Sequence, residues 1–393
     1  MKKIDASNIE KFLTRGVEKV FPSADFVRAR LQEGQPLTMY LGIDPTGPSL
    51  HLGHIVALRK LRQFQDLGHK VILLIGDFTG MIGDPSDKSA TRQRLTRKEV
   101  LQNAKLYKLQ ASKILRFTGS NAAVLKFNSK WLSKLSFEDV IELAAHFTVQ
   151  QMMARDMFDR RMKEDKPISI SEFMYPLMQG FDSVAMKTDG EIGGNDQTFN
   201  MLAGRTLMKE MLHKEKFVLA MKLLVDSAGK KMGKTEGNMI TLADSADEMF
   251  GKVMSWTDGM IRPGFELLTD EPLDQVDRDL REQNPRDVKM ALAQEIVEEF
   301  FGMKAAEDAQ ESFIATFQRG SVPLDIPEVH CAGKTLLEVL VEVGFVKSKS
   351  EARRVFAEGG VKVDGVVEKE HDKLAMSGQV IQKGKRHFVR LIK

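Results

Sequence analysis

Leu37-Thr-Met-Tyr-Leu-Gly-Ile43, then Asp44-Pro-Thr-Gly-Pro-Ser-Leu-His51-Leu-Gly-His54, then Lys70-Val-Ile-Leu-Leu-Ile75: the order of these segments sets the architecture. The first reads as a strand. From His54 to Leu67 the apolar residues Ile55, Val56, Leu58, Leu61 and Phe64 recur at helical spacing, and Gly68 supplies a stop. Lys70 to Ile75 is a continuous apolar run, as in a strand buried on both faces. Strand, helix and strand in this order predict a βαβ unit, hence an α/β fold with a parallel sheet.

Working outward, helical patterns run over 97–115, 137–148, 168–186 and 197–211, and Val218 to Val225 reads as another strand. Asp226 to Gly237 is polar and glycine-containing and reads as a mobile loop. From Ser245 to about Arg319 the pattern is helical, with one clean start: Asn284 as N-cap and Pro285 at the first helical position. Gly320 to Gly333, with Pro323 and Pro327, reads as a linker. The tail has two short helical patterns and then short strands, with Asp364-Gly365 as a hairpin turn. The expected division is 1–225, a mobile loop and linker at 226–244, a helical domain at 245–320, a linker at 321–333, and a small α+β module at 334–393.

The chain has 393 residues, enough for two or three domains at roughly 150 residues each. It is 42% hydrophobic and 29% charged, an ordinary globular composition. The formal net charge of +3 excludes a strongly basic chromatin-type protein and an acidic tail protein. The single cysteine, Cys331, rules out an intramolecular disulfide and a cysteine-rich zinc cluster. No signal-like or membrane-length apolar run is seen, so the expectation is a cytoplasmic protein.

The charge is unevenly spread. Residues 334–393 hold 13 Lys or Arg against 8 Asp or Glu, a net of +5, and the other 333 residues hold 45 against 47, a net of −2. Lys347, Lys349, Arg353 and Arg354 cluster around a helix start, and Lys385 and Arg386 lie near the end. A basic module on a slightly acidic body suits contact with a nucleic-acid backbone, although +5 alone is also compatible with a solvated surface.

Five motifs point to a site. His51 and His54 share a face in the first turn of a helix, where free N–H groups and the helix field favour phosphate. Gly53 between them lets a flat base approach the backbone. Two loop-capping histidines, or half of a zinc site, give the same spacing, but no third ligand lies nearby. Ala228-Gly-Lys-Lys-Met-Gly-Lys-Thr235 is one residue short of a P-loop, since Gly229 and Gly233 enclose three residues and not four. A lysine-bearing loop closing on a polyphosphate fits it better. Tyr175, Gln179 and Asp182 fall on one helical face among apolar neighbours, either as a ligand-gripping stripe or as an exposed polar face. Gly190-Glu-Ile-Gly193-Gly-Asn-Asp196-Gln197 offers close backbone approach and a ribose acceptor, or only a turn with Asn195 as N-cap. Lys88 and Arg92 lie in a charged loop that could reach an anionic substrate.

In this order the motifs resemble the bacterial tyrosyl-tRNA synthetases, a family of class I aminoacyl-tRNA synthetases. His51-Leu-Gly-His54 is similar to the family's HIGH signature. Lys231-Met-Gly-Lys-Thr235 is similar to KMSKS, with Gly233 and Thr235 in place of both serines. Asn284-Pro-Arg-Asp-Val-Lys289 resembles part of the helical domain, and the tail resembles the RNA-binding module named for the fourth small-subunit ribosomal protein.

The resemblance implies a Rossmann-like catalytic domain with a helical insertion, then an all-helical domain and a small α+β RNA-binding domain. It implies ATP-dependent formation of tyrosyl-adenylate, transfer of tyrosine to tRNA(Tyr), a homodimer, and Mg²⁺ accompanying ATP without a fixed metal cage. By the same carry-over, Tyr40 and Asp182 contact the phenolic hydroxyl of L-tyrosine. Asp84, Tyr175 and Gln179 hold its ammonium, and Gln197 lies near its carboxylate. Gly42, Asp44, Gly53, Gly193 and Asp196 line the nucleotide site. Thr46, His51 and His54 stabilise the pentavalent phosphate, and Lys88, Arg92, Lys231, Lys234 and Thr235 grip pyrophosphate. The tryptophanyl relatives, a P-loop NTPase and a non-enzymatic RNA-binding homologue are the competing readings.

Overall fold

The computed structural model describes residues 5–84, 86, 95–226, 232, 239–318, 326–384 and 387–393. The chain divides into two compact units. One comprises Met1–Ser245 and Lys252–Phe300, the other Ala246–Gly251 and Phe301–Lys393. The helices expected at 245–320 are thus shared between the units.

The first unit is built on a six-stranded sheet of order β1-β6-β5-β2-β3-β4. The strands are β1 (Val17–Phe21), β2 (Thr38–Ile43), β3 (Lys70–Ile75), β4 (Val124–Phe127), β5 (Gly190–Gly194) and β6 (Phe217–Met221). All neighbours pair parallel except β1, which runs antiparallel to β6. β2 and β3 pair in register from Thr38–Lys70 to Ile43–Ile75, with the helix Leu52–Asp66 between them in the chain. This is the expected βαβ unit. β3 is buried from Val71 to Ile75, and β6 over its whole length, as parallel strands covered on both faces must be.

β2 pairs with β3 on one side and β5 on the other, so the chain order reverses between β2 and β5. In a doubly wound sheet that switch point opens a crevice beyond the carboxyl ends of the strands. Two long helices, Ile170–Met186 and Thr198–Leu212, flank β5 in sequence and pack closely on each other. The close approach requires glycine: a Cβ on Gly180 would stand 3.1 Å from the Gly204 nitrogen.

Three elements differ from the sequence reading. Gly190–Gly194 is a central strand rather than a turn, because its glycines make room for neighbours: a Cβ on Gly190 would lie 2.2 Å from the Phe217 ring. The helical pattern over 97–115 breaks into Arg97–Ala104 and Tyr107–Ala111. β6 ends at Met221, short of Val225. Among the described residues no helix is long and apolar enough to cross a membrane.

The second unit carries a five-stranded sheet. Its strands are β7 (Glu328–His330), β8 (Val361–Val363), β9 (Val366–Val367), β10 (Val380–Lys383) and β11 (His387–Ile392), in the order β7-β11-β10-β8-β9. The helices Leu336–Glu342 and Lys349–Ala357 share its core through Leu340, Ala352 and Phe356. Asp364 and Gly365 both have positive φ (50° and 83°) and turn the β8–β9 hairpin, as their dipeptide predicts.

Candidate active site

A cavity of about 570 Å³ opens at the β2/β5 switch point. Tyr40 to Asp44 of β2 and its following loop line it, with Glu191 to Gly194 of β5, His51, Gly53 and His54, and Tyr175, Gln179 and Asp182. The sequence stripe on the helix Ile170–Met186 therefore faces a ligand cavity and not solvent. Pro176 is accommodated within that helix, which starts at Ile170 with Ser169 and Glu172 forming a capping box.

At the inner end the polar groups are buried and paired. Asp182 accepts from Trp131 Nε1 at 2.7 Å and from Asn128 Nδ2 at 3.3 Å. Burial drives its carboxyl pKa well up, while those two donors pull it back. Tyr40 is fully buried, with its hydroxyl 2.8 Å from Ser183 Oγ. Burial, then the charges of Glu191 and Asp182, raise the Tyr40 pKa well above its ordinary value. The phenol stays protonated and remains a donor. Lys216 and Glu191, both buried, form an ion pair behind it. Burial lowers the Lys216 pKa and Glu191 supports its charge. Gln179 Nε2 donates to Glu191 Oε1 at 2.9 Å.

The middle of the cavity is acidic. Tyr175 donates to Asp44 Oδ2 at 2.8 Å, and Thr79 Oγ1 donates to Asp44 Oδ1 at 2.7 Å. Burial, with Asp44 beside it, raises the Tyr175 pKa well above the usual range. Gln197 Nε2 donates to Asp84 Oδ2 at 2.5 Å, so these residues, 113 positions apart, meet. Asp44, Asp84, Asp182, Glu191 and Asp196 all line the cavity, a field that favours a cation.

The outer end is the start of the helix Leu52–Asp66. His51 is its N-cap, and its Nδ1 accepts from Gly53 N at 3.1 Å. His54 Nδ1 accepts from His51 N at 3.2 Å. With both Nδ1 atoms accepting, the proton of each neutral imidazole is assigned to Nε2, so both rings are donors there. The ring centroids are 3.9 Å apart. Two N–H donors at a helix N-terminus suit an oxyanion whose charge grows. A Cβ on Gly53 would stand 2.9 Å from His51 Nδ1 and Cε1, so the glycine makes room for the first imidazole.

The break in the expected 97–115 helix serves this end. Asn103 Nδ2 donates to Pro45 O at 3.0 Å, Tyr107 to Gly47 O at 2.7 Å, and Gln110 Oε1 accepts from Leu50 N at 2.6 Å. The two short helices thereby hold the loop from Asp44 to His51, including Thr46, against the cavity.

The structure thus brings together Tyr40, Gly42, Asp44, Thr46, His51, Gly53, His54, Asp84, Tyr175, Gln179, Asp182, Gly193, Asp196 and Gln197. Lys88, Arg92, Lys231, Lys234, Thr235, Lys385 and Arg386 lie outside the described residues. In the second unit Lys347, Lys349, Arg353 and Arg354 are all exposed, and Lys349 pairs with Glu338 at 3.3 Å. The sequence reading missed Asn128, Trp131, Ser183, Glu191 and Lys216, which come from four separate places in the chain. The single sequence hint was Glu191, an acid inside the glycine-rich motif.

The family model described as "tRNA synthetases class I (W and Y)" matches residues 32–318, and that of the S4 domain matches 335–381. A tyrosine–tRNA ligase of Mannheimia succiniciproducens is 46% identical over 386 residues, covering 96% of this chain and 97% of the relative. Tyrosine–tRNA ligase 2 of Vibrio cholerae is 47% identical over 400 residues, covering 100% and 99%. Among solved structures, an Archaeoglobus fulgidus tyrosyl-tRNA synthetase complexed with L-tyrosine shares the fold. Its TM-score is 0.62 at 21% identity, with 78% of this chain and 100% of that chain covered.

Proposed function

The chain belongs to the class I tRNA synthetases of the W and Y type, and from that premise we propose how its cavity works as a tyrosine–tRNA ligase. It joins tyrosine to tRNA at the expense of ATP. The tyrosine carboxylate attacks the α-phosphorus; an O–P bond forms and the bond to pyrophosphate breaks. A ribose hydroxyl at the tRNA 3′ end then attacks the tyrosyl carbonyl, and AMP leaves. No protein nucleophile is needed, only positioning and charge stabilisation.

The inner pair carries the choice of amino acid. Tyr40 offers an O–H and Asp182 an acceptor, so the group between them must both accept and donate. A phenolic hydroxyl does both. An indole N–H donates only and would leave Tyr40 unpaired, and a phenyl ring would leave both unpaired, at a cost for each. This geometry favours tyrosine over the tryptophanyl alternative. Asp84, Tyr175 and Gln179 then hold the ammonium, and Gln197 lies by the carboxylate. Gly42, Asp44, Gly53, Gly193 and Asp196 take the nucleotide. Thr46 and the Nε2–H groups of His51 and His54 meet the α-phosphate as its charge grows. Lys88, Arg92, Lys231, Lys234 and Thr235 are assigned to pyrophosphate by motif, and Mg²⁺ enters with ATP as part of the substrate.

Exposed cations of the second unit, Lys347, Arg353 and Arg354, support a tRNA-backbone role, to which the motif adds Lys349, Lys385 and Arg386. A homodimer is supported by apolar side chains exposed over residues 137–170, among them Phe137, Ile141, Val149 and Ile170. The cytoplasm, where tRNA is charged, is the proposed location. The decisive test is amino-acid-dependent ATP–pyrophosphate exchange with tyrosine, tryptophan and phenylalanine. Exchange with tyrosine alone is expected; exchange with tryptophan instead, or with none, overturns the reading.

A further inference from the structure

Lys216 lies on neither a recognised motif nor the cavity wall, yet it is a fully buried ammonium. Its Nζ donates to Ser183 Oγ at 2.7 Å, to Met201 O at 3.2 Å, and to Glu191. Those are three acceptors for three N–H groups, so the charged form is fully satisfied. The site is also sterically reserved. A Cβ on Gly204 would lie 2.5 Å from Lys216 Nζ and 2.8 Å from Ser183 Oγ, inside the contact between them.

This arrangement fixes where protons point. An ammonium cannot accept, so Ser183 Oγ must accept from Lys216. The remaining side-chain partner of Ser183 Oγ among the described contacts is the Tyr40 hydroxyl, at 2.8 Å. If Tyr40 donated to Ser183, the serine proton would be left buried without an acceptor, at a cost. Ser183 therefore donates to Tyr40 Oη, which leaves the Tyr40 proton for the acidic groups on its other side, Glu191, which hydrogen-bonds it, and Asp182, which lines the same cavity. Hydrogen bonds chained in one direction also polarise one another.

We propose that Lys216 and Ser183 form a buried donor relay that sets the polarity of the amino-acid pocket, running Lys216 N–H to Ser183 O–H to Tyr40 O–H to the ligand hydroxyl to Asp182. Glu191 is its anchor. One oxygen holds Lys216 in place, while the other takes the Gln179 amide N–H, which leaves the Gln179 carbonyl oxygen as its remaining acceptor for the ligand ammonium. Lys216, Ser183 and Glu191 are positioning residues: they act through Tyr40 and Gln179. The relay rests on the tyrosine reading above and deepens it, since it explains why the pocket demands a hydroxyl that both accepts and donates.

The test is the ratio of kcat/KM for tyrosine to that for phenylalanine in ATP–pyrophosphate exchange. Ser183→Ala removes the middle of the relay without removing a charge. The ratio is expected to fall about five- to tenfold, with the phenylalanine value within about twofold of wild type. In a Tyr40→Phe background, where the relay has no terminus, Ser183→Ala is expected to lower the ratio no further. Equal losses with both amino acids, an unchanged ratio, or the same drop in the Tyr40→Phe background overturns the relay. If Ser183→Ala does not fold, Ser183→Cys keeps the shape with a weak donor. It must also lose ratio, and a wild-type ratio there is equally fatal. Wild-type protein that exchanges no tyrosine overturns the tyrosine reading and the relay with it. Normal wild-type exchange with an unresponsive variant overturns the relay alone.

Discussion

The inner and outer ends of the cavity solve opposite problems. At the inner end Tyr40, Asp182, Ser183, Glu191 and Lys216 are buried, and each already has hydrogen-bond partners before any ligand arrives. At the outer end Thr46, His51, Gly53 and His54 are only half-buried, at the start of a helix. A buried network discriminates because a wrong ligand leaves its members unpaired in a low dielectric. A helix terminus with two imidazole donors discriminates little, but under the proposed mechanism it stands where charge develops during reaction. Under the proposed function, choice of amino acid and acceleration of the chemistry fall to different ends of one cavity. They should separate under mutation.

The largest effect is expected at the inner end. Asp182→Ala strands Trp131 Nε1 and Asn128 Nδ2 and removes the acceptor, so tyrosine-dependent kcat/KM should fall by about a thousandfold. The phenylalanine rate should change far less. Parallel loss with both amino acids in pyrophosphate exchange would break the comparison.

His54→Ala probes the outer end. It should lower kcat by about a hundredfold with tyrosine and phenylalanine alike, leaving KM for tyrosine and the ratio between the two unchanged. A selective loss with tyrosine would mean that the outer end also takes part in recognition. Gly53→Ala is a finer probe of the same end. Its Cβ would displace the His51 imidazole, and kcat should fall about tenfold with KM for tyrosine intact. Unaltered kcat would show that the His51 position does not matter.

The smallest expected effect is a pH dependence confined to the inner end. Burial raises the Asp182 pKa, so this carboxylate takes up a proton at a higher pH than an exposed aspartate does. The ionised form accepts the ligand hydroxyl; the protonated form is a poorer acceptor. The tyrosine-to-phenylalanine ratio should therefore be constant at high pH and fall toward acid. Asp182→Asn should flatten that profile. A ratio that stays level in the wild type down to acid unfolding would contradict the assignment.

Much of the outer end was readable in the chain, because its parts are contiguous. A loop and a helix start carry Thr46, His51, Gly53 and His54 within nine residues, just after the strand that holds Tyr40, and local order places them. The stripe Tyr175, Gln179 and Asp182 was readable as a helical face, though spacing could not say whether it met solvent or a ligand. The rest of the inner network was not readable. Asn128 follows β4, Ser183 lies in one helix, Glu191 in a strand and Lys216 just before β6. Nothing in sequence distance brings them together, and a lone lysine or serine has no local signature. Gly190–Gly194 was readable as a place of close backbone approach or a turn but not as a strand, because glycines erase the hydrophobic period; what makes it a strand is the fit against Phe217.

By itself, then, the sequence determined the βαβ start, the parallel sheet, the helix start that carries His51 and His54, and a basic module of +5 on a body of −2. Periodicity, capping and charge are local or additive properties, and a single chain displays them. Only the tertiary structure decided which strands border the crevice, which side of a polar helix is wet, and which distant groups meet in the buried network. Those depend on contacts between distant segments, where the cost of an unpaired buried group, and not any local preference, selects the arrangement.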